Sequence, residues 1–248
     1  MSSDPLAPLL DLPGVTDGVA AARNAVDSLI AHRVLRRRSA DVSAESSLRG
    51  AWISAVLAGS TSTQADVRSG AAADDPIVQG ALRVQAAIPT LTDTWTRAPR
   101  QALARLHALA SADLVADADQ LGRPLGTPGI AERLDALASV LDVTSAPAVV
   151  VAAIVHGEIL GLDAFEPASG VVARAAVRLT VIERGLDLKS LVVIEAGHRD
   201  LGDAYETALA AYRSGKAEGV GEWIVHCADA VVAGARESLA ICEAIQRG

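Results

Sequence analysis

One stretch of the chain, residues 145–185, constrains the fold most strongly. It reads SAPAVVVAAIVHGEILGLDAFEPASGVVARAAVRLTVIERG, which is two apolar runs separated by a short break. The break contains the pair Glu166-Pro167, and a proline and the residue before it both tend to leave the helical conformation. The stretch therefore predicts an apolar helix, a tight turn, and a second apolar helix that begins near Gly170.

The second of these helices carries two arginines, Arg174 and Arg178, on one face, because residues four apart are neighbours on a helix surface. Burial of an unpaired charge is costly, so each arginine needs a partner or water. The residues at the start of the helix, Ala168, Ser169 and Gly170, are small. A loop that leads into a helix N-terminus is the usual geometry for holding an anion.

The composition of the whole chain favours helices. Half of the 248 residues are apolar, but only three Trp, two Tyr and one Phe are present, so alanine and aliphatic side chains must fill the core. Such a composition is typical of helices rather than sheets, and we expect an all-α fold. The formal net charge of -8 argues against nucleic-acid binding, which needs basic residues to neutralise phosphates.

The sequence also indicates a cytoplasmic protein without a membrane segment. The N-terminus lacks the pattern of a signal peptide. The longest apolar run, residues 146–155, is shorter than the roughly 20 residues that span a bilayer. Cys227 and Cys242 fall within one expected helix, about 22 Å apart at 1.5 Å per residue, which is too far for a disulfide.

Helical periodicity and helix-terminating residues divide the chain into further elements. A loop is expected at residues 116–129, before the stretch 145–185. A connection is expected after that stretch, at residues 186–194, and its residues Leu191-Val-Val-Ile suit an extended segment. The expected helices are Asp17–Arg37, Ser39–Ala58, Gln64–Ala72, Ile77–Leu91, 101–110, 130–141, 205–212 and 221–247. A basic run at 32–38, near the end of the first helix, is interpreted as a solvated face.

The turn and the start of the second helix, residues 163–174, resemble the signature of the Fic (Fic/Doc, Fido-domain) family, His-Pro-Phe-x-Asp/Glu-Gly-Asn-Gly-Arg-x-x-Arg. Phe165, Gly170 and Arg174 match it. Asp163 falls where the family has its catalytic histidine, and Pro167 where it has the metal-holding acid. The other departures from the signature are Ala164, Ala168, Ser169 and Val171.

The resemblance extends in order along residues 95–245. Residues 102–107 are similar to the helix that opens the family core, the loop at 116–129 to its target-binding flap, and residues 148–158 to the helix that precedes the motif. This resemblance implies a Fic-like domain at 95–248 preceded by a helical lobe at 1–94. In that lobe, residues 54–59 have the frame of the family's self-inhibiting helix, with Ala58 in place of its glutamate.

Fic enzymes typically transfer AMP from ATP to a hydroxyl of a target protein, which requires a base, a metal and cations for the phosphates. A carboxylate such as Asp163, with a reference pKa of about 3.9, is a weaker base than imidazole at about 6.5. Pro167 offers no metal ligand and Val171 no charge. The leading hypothesis is therefore a catalytically degenerate Fic-like protein without AMP-transferase activity, cofactor or metal. It would bind a protein partner or a small anionic ligand, with ligand-binding candidates Phe165, Ser169, Gly170 and Arg174.

Two alternatives remain open at the level of sequence. One is a divergent Fic transferase with an altered nucleotide or mechanism, which would use Asp163, Ser169, Gly170 and Arg174 together with ATP and Mg²⁺. The other is a structural helical protein in which the pocket is filled. Arg174 itself either binds a phosphate or carboxylate or has a partner within the protein, such as Glu158 or Asp163. His156 is interpreted as a core histidine, since its i, i+2 spacing to Glu158 places the two side chains on different helix faces and disfavours a metal site. The alanine-rich surface permits a homodimer.

Overall fold

The computed structural model describes residues 4–247, and this part of the chain is all-α, as expected. It contains eleven α-helices and two short 3-10 helices, Ala7–Asp11 and Ala118–Gln120, and no β-strand within residues 4–247. The helices are α1 Val15–Ile30, α2 Leu35–Val56, α3 Gln64–Ser69, α4 Pro76–Arg97, α5 Pro99–Ser111, α6 Ile130–Val143, α7 Ala148–Gly161, α8 Ser169–Glu183, α9 Ile194–Asp200, α10 Ala204–Arg213 and α11 Ala217–Arg247.

Local signals explain where several helices begin. The Asp75 carboxylate accepts hydrogen bonds from the backbone N–H groups of Ile77 and Val78 and so caps α4, which has Pro76 at its first position. Helix α3 opens with a capping box between Thr63 and Asp66. These helices start where the sequence predicted them because side chains within three residues satisfy their first amides.

The apolar pair α7 and α8 forms the centre of the molecule. Every residue from Val171 to Val181 is buried, which is the condition a helix needs when it is apolar on all sides. Helices α2, α4 and α5 pack on α8, and α6, α10 and α11 pack on α7. The turn between α7 and α8 is thereby held on a rigid frame. Because α2 and α4 contact α8, the lobe before residue 95 packs directly on the helix that carries the arginines.

One sequence prediction in the N-terminal half was wrong. The first helix does not continue to Arg37: it ends at Ile30, and a turn at residues 31–34 precedes α2. The apolar pattern continues across this turn because Val34 and Leu35 are both buried. Arg36, Arg37 and Arg38 are exposed, as expected of a solvated face.

The connection at 186–194 is not extended into a strand, and it leads into α9, which the sequence did not predict. Helix α9 has only seven residues and contains Gly197, a residue that usually weakens a helix. A Cβ atom at Gly197 would lie 2.0 Å from the carbonyl oxygen of Ala230. The glycine is therefore required for the close packing of α9 on α11, which is a tertiary requirement that local periodicity does not reveal.

Three further expectations can be compared with the fold. Cys227 and Cys242 both lie in α11, are buried and are free thiols, as predicted. No α-helix in residues 4–247 has the length and apolarity needed to cross a membrane. The division of the chain into 1–94 and 95–248 stays a prediction; residues 1–3 and 248 lie outside the described part.

Candidate functional site

The turn between α7 and α8 is fixed by short-range hydrogen bonds. The backbone N–H of Phe165 donates to the Ser169 hydroxyl at 2.9 Å, and the N–H of Ala168 donates to the carbonyl of Phe165 at 2.8 Å. Asp163 adopts a positive φ of 47°, a conformation that aspartate tolerates better than most residues. The Glu166-Pro167 peptide bond is cis. The turn thus brings residues 163–170 to the N-terminal end of α8.

Asp163, at the position of the family's catalytic histidine, is paired at the surface. Its carboxylate accepts a hydrogen bond from Arg213 of α10 at 3.0 Å, and both side chains are nearly half exposed. Arg213 also donates to the carbonyl oxygens of Leu160 and Gly161 at the end of α7. The carboxylate therefore takes part in holding α10 against the C-terminus of α7.

Phe165 and Ser169 are buried within the turn, with 2% and 3% of their surface exposed. The Phe165 ring lies 5.4 Å from the imidazole of His107 in α5, centroid to centroid. The Ser169 hydroxyl is used by the N–H of Phe165. The two side chains therefore act within the protein, and neither is offered to solvent.

The loop at 116–129, which resembles the family's flap, lies against this turn. The N–H of Leu125 donates to the carbonyl of Ala164 at 2.9 Å, and the N–H of Gly122 donates to His107 Nδ1 at 3.2 Å. Burial lowers the pKa of His107, which keeps the imidazole neutral and able to accept this bond. The loop is attached to the turn at Ala164 and to α5 at His107.

Arg174 is the most informative residue of the site. Its guanidinium donates from Nε to the Ser54 hydroxyl at 2.9 Å, from Nη2 to the Ser54 carbonyl at 2.8 Å, and from Nη1 to the Tyr205 hydroxyl at 3.4 Å. The residue is 4% exposed. A Cβ atom at Gly170 would lie 3.0 Å from Nη1, so the guanidinium covers the first turn of α8. The space above Gly170 is occupied by the protein's own arginine.

The expected carboxylate partners of Arg174 are engaged elsewhere. Glu158 is bound by Arg133, whose Nε lies 2.8 Å from Oε2, and by the hydroxyl of Tyr212 at 2.6 Å. Asp163 is bound by Arg213, as described above. The suggestion that Arg174 pairs with Glu158 or Asp163 was wrong, because these carboxylates face α6 and α10. The three hydrogen bonds of Arg174 go to uncharged oxygen atoms.

Arg178, one helical turn further on, has a carboxylate partner. Its Nη2 lies 2.7 Å from Glu195 Oε2, and each side chain is 2% exposed. Gln85 Nε2 donates to the other carboxylate oxygen at 3.1 Å, and Arg178 Nη1 donates to the Ser190 hydroxyl at 2.7 Å. This network of α4, α8 and α9 satisfies the expectation that both arginines need partners.

Tyr205 connects Arg174 to a buried group of aromatic side chains. Its hydroxyl lies 2.8 Å from His156 Nε2, while His198 Nδ1 lies 3.1 Å from His226 Nε2. Burial lowers the pKa of all three histidines, to about 4 for His226, and raises the pKa of Tyr205 to about 12. A cavity of about 10 Å³ beside His156 and His198 has room for about one water molecule. His156 is thus a hydrogen-bonded core residue, as interpreted from the sequence.

The side chains near the turn that could serve as metal ligands are each bound to another residue. No group of three or more His, Cys, Asp or Glu side chains within residues 4–247 is arranged to hold one. Pro167 has no side-chain donor atom, and His156, Glu158 and Asp163 are each bound to a different partner: Tyr205, Arg133 and Arg213.

Sequence reasoning did not identify the roles of Ser54, Tyr205 and Arg213. Only the frame at 54–59 pointed to one of them.

The comparisons with known proteins bear on the fold. The structure is similar to the crystal structure of a Fic family protein from Desulfovibrio desulfuricans G20, with a TM-score of 0.72 and 18% sequence identity over 92% of this chain and 75% of that one. No family model matches the sequence, and neither does any curated protein. The chain therefore has a Fic-like fold, and the resemblance drawn from the turn and its flanking helices is confirmed at the level of the fold.

Proposed function

We propose that this chain is a Fic-fold protein that does not transfer AMP and that acts by binding a partner protein. The observation that carries the proposal is the position of Arg174, which fills the space over Gly170 and is bound by Ser54 and Tyr205. A nucleotide phosphate placed at the start of α8 would have to displace this buried side chain.

The positions around Arg174 support the same conclusion. Asp163 is a carboxylate, and it would repel a triphosphate as well as being a weak base. Pro167 cannot coordinate Mg²⁺, and Val171 supplies no charge to a phosphate. Asp163 is also held by Arg213. The residues that a transfer reaction needs are thus replaced or bound to other residues of the protein. The helical fold, whose surface a partner protein could bind, is retained.

A second candidate function is the binding of a small anion at Arg174. It is favoured by one observation: the hydrogen bonds of Arg174 go to uncharged oxygen atoms. An anion that entered the site would therefore form a charge-assisted hydrogen bond with a guanidinium that has no carboxylate partner. Movement of Ser54 on α2 would release two of the N–H groups.

Thermal unfolding with added ligands tests the proposal. The chain is heated with Mg²⁺, with ATP and a chelator, with ATP and Mg²⁺, and with inorganic phosphate, each at matched ionic strength. A ligand present at 100 times its Kd adds about 2.7 kcal/mol of stability. For a chain of this size that corresponds to an increase in Tm of roughly 5–11 °C.

We expect no increase with ATP and Mg²⁺. An increase that needs Mg²⁺ would contradict the proposal and favour the divergent transferase. An increase with phosphate that needs no metal, and that is lost in Arg174→Gln but retained in the exposed control Arg23→Gln, would favour the anion-binding function. Comparison of each variant with and without ligand removes the effect of the substitution on stability itself.

A further inference from the structure

A tight turn after α8, at residues 187–190, presents an exposed leucine. The N–H of Ser190 donates to the carbonyl of Asp187 at 3.0 Å, which places Leu188 and Lys189 at the tip of a hydrogen-bonded turn. Leu188 is 72% exposed, more than the other large apolar side chains that stand exposed within residues 4–247. Turn tips normally carry glycine, proline or short polar side chains. The position of Leu188 is therefore atypical of a turn tip.

The turn is fixed rigidly at its base. Both carboxylate oxygens of Asp187 accept backbone hydrogen bonds, from Leu191 at 2.9 Å and from Val192 at 2.8 Å. The hydroxyl of Ser190 accepts from Arg178, so the turn is attached to the buried ion pair of α8 and α9. Little conformational freedom would be lost if a partner contacted Leu188, and preorganisation of this kind favours binding.

Two hollows flank the turn, with volumes of 330 and 300 Å³, at the lower end of the range for ligand-binding pockets. Both are lined by Leu188 and Lys189. The first hollow also exposes Ile30, which is 48% exposed. The apolar side chains around the two hollows are Ile30, Leu35, Leu186, Leu191, Ile88, Pro89 and Ile182. Leu35, Leu186, Leu191 and Ile88 are buried, so the apolar side chains that a partner could contact are chiefly Ile30, Pro89 and Leu188.

The charge on this surface is opposite to that of the whole protein. Arg36 and Lys189 line the first hollow and are exposed. Asp187, the carboxylate at the same hollow, is 2% exposed and has both oxygens occupied by backbone N–H groups. The surface is therefore positive on a chain with a net charge of -8. A second copy bound symmetrically would oppose the same cations, which disfavours self-association here.

We propose that the surface formed by the turn and its two hollows binds an acidic amphipathic segment of a partner protein. Apolar side chains of the segment contact Leu188 and enter the hollows, and its carboxylates pair with Arg36 and Lys189. This inference identifies a partner of the kind the proposed function requires, at a surface separate from Arg174. Its test measures peptide binding and not AMP transfer, so the two can fail independently.

The experiment is selection of a random peptide display library on the immobilised full chain. Enriched peptides are then labelled with fluorescein and titrated by anisotropy against the wild type, Leu188→Asp, the double variant Arg36→Glu with Lys189→Glu, and Val143→Asp. The last is a matched control because Val143 is 64% exposed and lines neither hollow. The substituted side chains are exposed, so we expect native circular dichroism spectra for all variants.

We expect enriched peptides that combine apolar residues with Asp or Glu. Leu188→Asp should raise their Kd by at least about tenfold, as for an interface hot spot, while Val143→Asp leaves it unchanged. The double variant should weaken binding and reduce its dependence on salt. Failure to enrich acidic apolar peptides, or equal Kd values for Leu188→Asp and Val143→Asp, would overturn the proposal. So would a Leu188-dependent dimer in light scattering or Leu188-dependent binding to phosphatidylserine vesicles.

Discussion

Removal of the charge of Glu195, which pairs with Arg178 in the core, should lower the stability of the protein by an amount that follows from the burial of the pair. Each side chain is 2% exposed, and Gln85 and Ser190 complete the network. Glu195→Gln keeps the shape but removes the negative charge, which leaves a buried guanidinium without its counter-charge. Breaking a buried pair in this way costs about 3–5 kcal/mol. At roughly 2–4 °C per kcal/mol, the Tm should fall by about 6–20 °C.

The exposed pair Asp163–Arg213 supplies the control for this measurement. Its side chains are 47% and 42% exposed, and exposed pairs contribute about 0–1 kcal/mol. Urea unfolding and differential scanning calorimetry of Glu195→Gln and Asp163→Asn, at the same pH and salt, compare the two. If Glu195→Gln cost no more than Asp163→Asn, the reasoning that the buried Arg178 depends on its carboxylate partner would be refuted.

Two more perturbations follow from the packing. Burial lowers the folded-state pKa of His156, His198 and His226. Above pH 6.5 these side chains therefore add nothing to the free energy of unfolding. Below pH 6.5 the unfolded chain takes up protons first, and the free energy of unfolding falls. The slope is about 1.4 kcal/mol per pH unit for each histidine, down to about pH 4 for His226. Urea midpoints between pH 7.5 and 4.5 measure it, and a flat profile would contradict the burial of the cluster. Gly197→Ala forces a Cβ atom against the backbone of α11 and should cost about 1–3 kcal/mol. Gly126→Ala, where no atom lies within 4 Å, is the control for the same urea titration, and equal losses would count against the close crossing of α9 and α11.

The fold could be predicted from the sequence where local signals were strong. The start of α4 at Pro76 depends on Asp75 and on amides two and three residues away, so a single sequence contains all the information. The pair α7 and α8 was predicted because long apolar runs separated by Glu166-Pro167 have few other interpretations. Helix α9 was missed, since its Gly197 is explained only by the approach of α11.

The site was predictable in kind but not in its partners. The cost of burying a charge showed that Arg174 and Arg178 must be bound, and the structure satisfies this requirement. The partner of Arg174, however, is Ser54, which is 120 residues away, and Asp163 is held by Arg213, 50 residues away. Contacts at such separations depend on how the helices pack. No signal in the sequence pointed to the contact with Arg213, and only the frame at 54–59 pointed to Ser54.

The most direct test of the central claim is a measurement of AMP transfer. The wild-type chain and Asp163→Ala are incubated with Mg²⁺ and ATP labelled at the α-phosphate, alone and with a cell lysate as a source of protein hydroxyls. Labelled protein is detected by gel autoradiography, and AMP added to the chain itself is detected by intact-mass spectrometry. We expect no label above the heat-denatured control and no mass increase. Incorporation of AMP that Asp163→Ala abolishes would contradict the account.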